Sequence, residues 1–115
     1  MYTIKTNEPL LQFNSSKSYH RYLFGMVITD AVMEFATTHQ CFWLFDMVAS
    51  YQYQLHKDTF QVWTLKKQTD SSAWIVAEDS NGKILIKQQI KRTHFEVNQA
   101  TVLVDGKVIM LSSED

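Results

Sequence analysis

Few residues in this chain have the type and spacing that chemistry needs. Cys41 is the one thiol, two residues from His39. A thiol becomes a nucleophile when a neighbouring base or a helix start lowers its pKa, and a junction between two helices offers such a setting. Free cysteines more commonly fill cores as small apolar residues, and Cys41 is expected to do so. His20, His39, His56 and His94 show no HxH, HExxH or CxxC spacing, so no metal site is expected. Asp46, Ser50 and Gln54 recur at helical spacing. A carboxylate on that stripe could serve as a base, but acid–base work calls for a second tuned partner. A polar stripe is also what any amphipathic helix shows to water. With three glycines in the whole chain, neither GxGxxG nor a Walker A loop can be assembled, and no cofactor is expected.

The second chemical signal is a basic strand. From Lys83 to Lys91 a period of two puts Lys83, Lys87 and Lys91 on one face and Ile84, Ile86 and Ile90 on the other. Pairing back through Asn81-Gly82 brings Trp74 and Val76 to the lysine face. A basic sheet with an aromatic platform can stack and hold single-stranded nucleic acid; lysines on a sheet also guard it against edge aggregation. Helices 29–38 and 42–55 resemble a helix-turn-helix in outline. Phe42 to Leu55 contains no Lys or Arg, however, so phosphate contacts have no cations there.

These residues must be positioned by elements that the apolar pattern defines. Asn7-Glu8-Pro9 opens a short helix over 8–13, with a cap, an acid and a proline in their favoured places. Tyr19 to Phe24 alternates weakly, as a short strand broken by Gly25. Ile28, Ala31, Val32, Phe35 and Ala36 fall on one face of a helix over 29–38, capped by Thr29 or Asp30. After a kink at His39-Gln40, Leu44, Met47, Val48, Tyr51 and Leu55 repeat the spacing over 42–55. Beyond Asp58 the period becomes two, giving strands over 60–66, 73–78, 83–90, 101–104 and 107–111. Asn81-Gly82 and Asp105-Gly106 read as two-residue hairpin turns of type I′. The expected fold is α+β: N-terminal helices packed on one face of an antiparallel sheet built from C-terminal hairpins.

A two-residue turn at Asn81-Gly82 fixes a register: Ser80 opposite Lys83, Glu78 opposite Leu85, Val76 opposite Lys87, Trp74 opposite Gln89. Ala73, Ile75, Ala77, Ile84 and Ile86 then face the helices. Phe35, Leu44, Val48, Val62, Ile75 and Ile86 are expected at the centre of the core. Trp74, Val76, Leu85 and Lys87 face away, and Trp63 with Leu65 would extend their patch. Such a face calls for cover: the hairpin 101–111, a second copy of the chain, or a partner.

Composition bounds the rest. A chain of 115 residues, 45% hydrophobic and 13% aromatic, suits one domain spanning 1–115 with a core of its own. The net charge of −1 supplies no field drawing the chain to nucleic acid or anionic membranes. No secretory signal is read at the N-terminus. The longest apolar stretch, Cys41 to Ala49, is too short to span a bilayer. A lone cysteine suits a reducing compartment, so the cytoplasm is expected.

A set of residues along the chain also resembles a known pattern. It comprises Gln12-Phe13, Tyr19-His20-Arg21, Thr29-Asp30, Trp43-Leu44, Asp46, Ser50, Gln52 and Phe60 to Leu65. Asp79 with Asn81-Gly82, Gln89-Ile90 with Thr93, and Val108 to Leu111 before Ser113-Glu114 continue it. In these the chain is similar to a small uncharacterised domain family of bacterial, plasmid and phage genomes. Ala31 stands where that pattern has Gly, His94 where it has Asp, and Ser112 where it has Pro. The family has no assigned activity, so the resemblance implies one domain and carries over no site residue.

Three readings follow. The leading one is a non-enzymatic binding or accessory protein of mobile-element origin, with a second copy or another protein as partner and no membrane. The second is a small enzyme or small-molecule binder, with a pocket between helix 42–55 and the sheet rimmed by His20, Asp46, Ser50 and His56. The third is a single-stranded nucleic-acid binder using Trp74, Lys83, Lys87 and Lys91.

Overall fold

Thr29 starts the first helix as the sequence leads one to expect. Its hydroxyl accepts the backbone N–H of Val32 at 3.2 Å, a side-chain cap that satisfies one orphan donor of the first turn. The computed structural model describes residues 3–4, 18–91 and 97–114; the short helix expected over 8–13, and His94, lie outside them. Helix α1 runs Asp30–Thr38 and stops in a Schellman arrangement. Gln40 turns left-handed at φ 51°, and the Cys41 N–H reaches back to the Ala36 carbonyl at 2.9 Å. That is the kink between the helices.

Helix α2 spans Phe42–Ser50, which shortens the 42–55 helix read from the sequence. The chain continues as turns, with Leu55 N–H bonded to the Tyr51 carbonyl at 3.0 Å and Asp58 N–H to the Leu55 carbonyl at 2.8 Å. Two side chains compete for the last helical carbonyls: Ser50 Oγ donates to Met47 O at 2.7 Å and Gln52 Nε2 to Val48 O at 2.9 Å. The apolar spacing persists past the helix because the turns still deliver Leu55 to the core.

Eight strands form one sheet among the described residues: β1 Thr3–Ile4, β2 Tyr19–Arg21, β3 Val27–Thr29, β4 Phe60–Lys67, β5 Ala73–Glu78, β6 Ile84–Ile90, β7 Gln99–Asp105 and β8 Val108–Leu111. Their order is β1-β2-β3-β8-β7-β4-β5-β6. The fold is α+β, helices early and most strands late. Two points correct the expected sheet. The N-terminal segment adds strands to the C-terminal hairpins, and β3 runs parallel to β8, with Val27 beside Val108 and Ile28 beside Ile109. All other pairings are antiparallel.

Along β4 the faces are reversed from the expected assignment. Trp63 and Leu65 are each 1% exposed, paired with Ala77 and Ile75, and belong to the core rather than to the open patch. Val62 is only half-buried, opposite Glu78 and Leu103. The core cluster joins Ile28, Ile109 and Val104 to Leu65, Ile75 and Ile86, and to Val32, Leu44, Phe45 and Val48 from the helices. Phe35 packs at its margin. The β7–β8 hairpin lies in the plane of the sheet between β3 and β4, so it does not cover the open face.

The turn between β5 and β6 also differs. Only Gly82, at φ 83°, has a positive φ there, whereas type I′ needs two such residues. Asp79 explains the change: its Oδ1 accepts the N–H groups of Asn81 and Lys83, both at 2.9 Å. The Gly82 N–H closes the turn on the Asp79 carbonyl at 3.0 Å, with the glycine as the bulge residue. The register slips between Ala77 and Glu78, so Glu78 faces Ile84 rather than Leu85. Ile84 is consequently 56% exposed, and Leu85 packs against the core. Trp74 with Gln89 and Val76 with Lys87 keep the expected register. At the other hairpin Asp105 pairs with Val108, leaving Gly106-Lys107 as the loop with a positive φ at Gly106 alone.

Candidate functional site

Two surfaces gather polar and aromatic groups. The first is the face of β4, β5 and β6 opposite the core. Lys66 stands across from Trp74, and Val76 across from both Thr64 and Lys87. Lys87 Nζ lies 5.0 Å from the centre of the Trp74 ring, a cation–π geometry. Thr64, Lys66, Gln68, Trp74, Val76, Glu78 and Lys87 line an open depression of about 450 Å³. The face is apolar along β5 and bears cations near Trp74 and a carboxylate near Glu78. Lys83 and Lys91 are exposed and do not line it; Lys83 is held by its N–H in the Asp79 turn.

The second surface lies beside α2. Trp43, Asp46, Met47 and Ser50 project from it, and Tyr51 with Gln88 of β6 completes an open depression of about 490 Å³. Tyr22, from the loop after β2, donates its hydroxyl to Asp46 Oδ1 and also lies 3.3 Å from the Phe42 carbonyl. Burial, and then the Asp46 carboxylate beside it, push the Tyr22 phenol well above its ordinary pKa. The Tyr51 hydroxyl donates to Gln88 Oε1 at 2.6 Å, tying the end of α2 to the sheet.

A model for a family of unknown function, DUF6876, matches residues 4–115. The chain belongs to that family. No curated protein and no solved structure matches it.

In this DUF6876 chain the four residues read as one pocket rim separate. Asp46 and Ser50 share the α2 depression. His20 is buried and donates from Nε2 to Asp30 Oδ1 at 2.7 Å, while Asp30 Oδ2 accepts the Ser18 N–H at 2.7 Å. His56 sits in the turns after α2 with Nδ1 on the Tyr53 carbonyl at 2.9 Å. His39 packs its ring against Phe35 at 4.7 Å. Cys41 is fully buried, its sulfur 3.9 Å from the Phe35 carbonyl. Among the described residues no three His, Cys, Asp or Glu side chains converge as metal ligands, and no helix is long and apolar enough to cross a membrane.

Sequence reasoning did not find Tyr22, Trp43, Tyr51 and Gln88 beside Asp46, nor Lys66 and Glu78 beside Trp74. Lys66 follows from register once the face of β4 is known, and Glu78 from alternation along β5. Tyr22 is 24 positions from Asp46, and nothing in local spacing joins them.

Proposed function

We propose that this chain is a non-enzymatic binding protein, one domain in extent, whose working surface is the open face of β4, β5 and β6 and whose partner there is a second copy of itself. The observation that carries the reading is Trp74, half-buried on that face with Lys87 over its ring and Lys66, Val76 and Glu78 around it. An apolar strip with cations at one end and a carboxylate at the other is self-complementary. A two-fold axis in the interface, crossing β5 near Val76, sets Glu78 of each copy against Lys66 and Lys87 of the other, and Val76 against Val76. A nucleic acid fits less well, because Lys87 already occupies the Trp74 ring and Glu78 repels phosphate. The patch is three strands wide at about 4.8 Å spacing, small beside the ~800 Å² per partner of a standard interface, so a weak dimer is expected. The buried free thiol of Cys41 accords with a reducing cytoplasmic setting.

Light scattering over a dilution series tests the reading. The wild-type chain should dimerise reversibly in the micromolar range. Glu78→Lys, and separately the pair Lys66→Glu with Lys87→Glu, should be monomeric alone and dimeric when mixed. A wild-type monomer at millimolar concentration overturns the proposal. Quenching of Trp fluorescence by an oligo-dT strand, weakening steeply with salt, would replace it with a nucleic-acid surface.

A further inference from the structure

The α2 depression carries an inference independent of the sheet face. We infer that Trp43, Asp46 and Tyr51 form a binding site for an alkylammonium group. Three observations point to a cation. Among the described lining residues, Asp46 is the only ionisable carboxylate, ammonium or imidazole. The hydroxyl protons around it are committed inward: Tyr22 to Asp46, Ser50 to Met47 O at 2.7 Å and Tyr51 to Gln88 at 2.6 Å. Beside the Gln88 amide, the site offers a ligand a carboxylate, hydroxyl lone pairs and aromatic rings, the groups that attract an ammonium. The lining also includes the last turn of α2, where the helix dipole presents its negative end.

The size is compatible. About 490 Å³ falls within the ordinary range of small-ligand clefts, and the site is open enough to admit a side chain from another polypeptide as readily as a free amine. The shared chemistry is a positively charged, alkyl-substituted nitrogen lying against Trp43 and Tyr51, paired with Asp46. A phosphate or carboxylate would bring its own negative charge against the Asp46 carboxylate.

The test uses the intact chain and two pairs of probes, followed through the Trp43 indole N–H by NMR. The first pair is choline and its uncharged isostere, in which a tert-butyl group replaces trimethylammonium. The second is N-acetyl-lysine methylamide and its norleucine counterpart. At least one cation should bind roughly tenfold more tightly than its neutral counterpart. Choline alone indicates a small quaternary ligand, and lysine a polypeptide side chain. Asp46→Asn, which keeps an acceptor for the Tyr22 hydroxyl, should lose the preference for charge while keeping the wild-type pattern of backbone amide shifts away from the site. Trp43→Leu, followed instead through the Gln88 side-chain amide, should weaken the same probe at least fivefold, whereas Trp74→Ala should leave it unchanged. Equal binding of charged and neutral probes, no shift of Trp43 with any probe up to tens of millimolar, or an Asp46→Asn variant that still prefers the cation overturns the inference.

Discussion

Gln52 and Gln61 exchange a reciprocal pair of amide hydrogen bonds, each 2.9 Å long. Gln61 is 1% exposed, and a buried amide is tolerated only when its polar atoms are paired. Its Oε1 also accepts from Trp63 Nε1 at 2.8 Å, and its Nε2 donates to the Asp58 carbonyl at 2.8 Å. The pair thus links the turns after α2 to the start of β4. Gln61→Ala should cost about 2–4 kcal/mol, because it strands the Trp63 N–H and the Gln52 Oε1 together. Urea unfolding followed by Trp fluorescence measures it, and a loss below about 0.5 kcal/mol would show that water replaces the network.

The reversed faces of β4 give a paired prediction. Leu65→Ala should cost about 2–5 kcal/mol, as for other large-to-small changes in a packed core. Val62→Ala, on the half-buried face, should cost about 1 kcal/mol or less. The opposite ranking in denaturant midpoints would mean that the strand sits one residue out of register.

The turn after β5 separates two neighbouring substitutions. Gly82→Ala places a Cβ in the left-handed region and should cost about 1–2 kcal/mol. Asn81→Ala should cost only a few tenths, because Asn81 does not have a positive φ. Equal losses at the two positions, by thermal or urea unfolding, would restore the type I′ turn.

Alkaline pH should weaken the fold through Tyr22. A phenol whose pKa is raised in the folded state stays protonated there after the unfolded chain has lost its proton. Its stabilising contribution is therefore complete below the unfolded value of about 10 and is lost as pH rises beyond it. Tyr22→Phe removes this contribution, so its stability should fall less steeply than wild type between pH 9 and about 11.5. Parallel alkaline limbs for the two proteins would refute the assignment.

What the sequence made legible was whatever repeats over a few neighbouring residues. Helix α1 with its Thr29 cap, and strands β4 to β8, follow from period and capping chemistry alone. Strand β3 did not, because Val27–Thr29 is too short to show a period and its parallel partner lies far along the chain. The faces of β4 were misread because Val62, Trp63 and Leu65 put apolar residues on both sides of one strand, and alternation cannot rank them. Asp79 defeated the turn assignment at Asn81-Gly82 by accepting two backbone N–H groups, a local competition that a dipeptide signature omits. At the α2 depression, Asp46 and Ser50 were visible as a stripe. Tyr22 and Gln88 arrive from elsewhere in the sequence, and only the tertiary structure brings them in.

The β3–β8 pairing sets an order of events during synthesis. Val27 and Ile28 acquire their neighbours only when Val108 and Ile109 have been made, and the Thr29 hydroxyl bonds Glu114 across 85 positions at 2.8 Å. Until those residues have been made, the middle of the sheet has an open seam and the Thr29 hydroxyl lacks its Glu114 partner. The β4–β5–β6 meander can form earlier, since its contacts are local. Closing the seam then carries the largest loop-closure cost in the fold. Completion of this fold therefore waits for β8, and a chain cut before Val108 would hold β3 without its parallel neighbour.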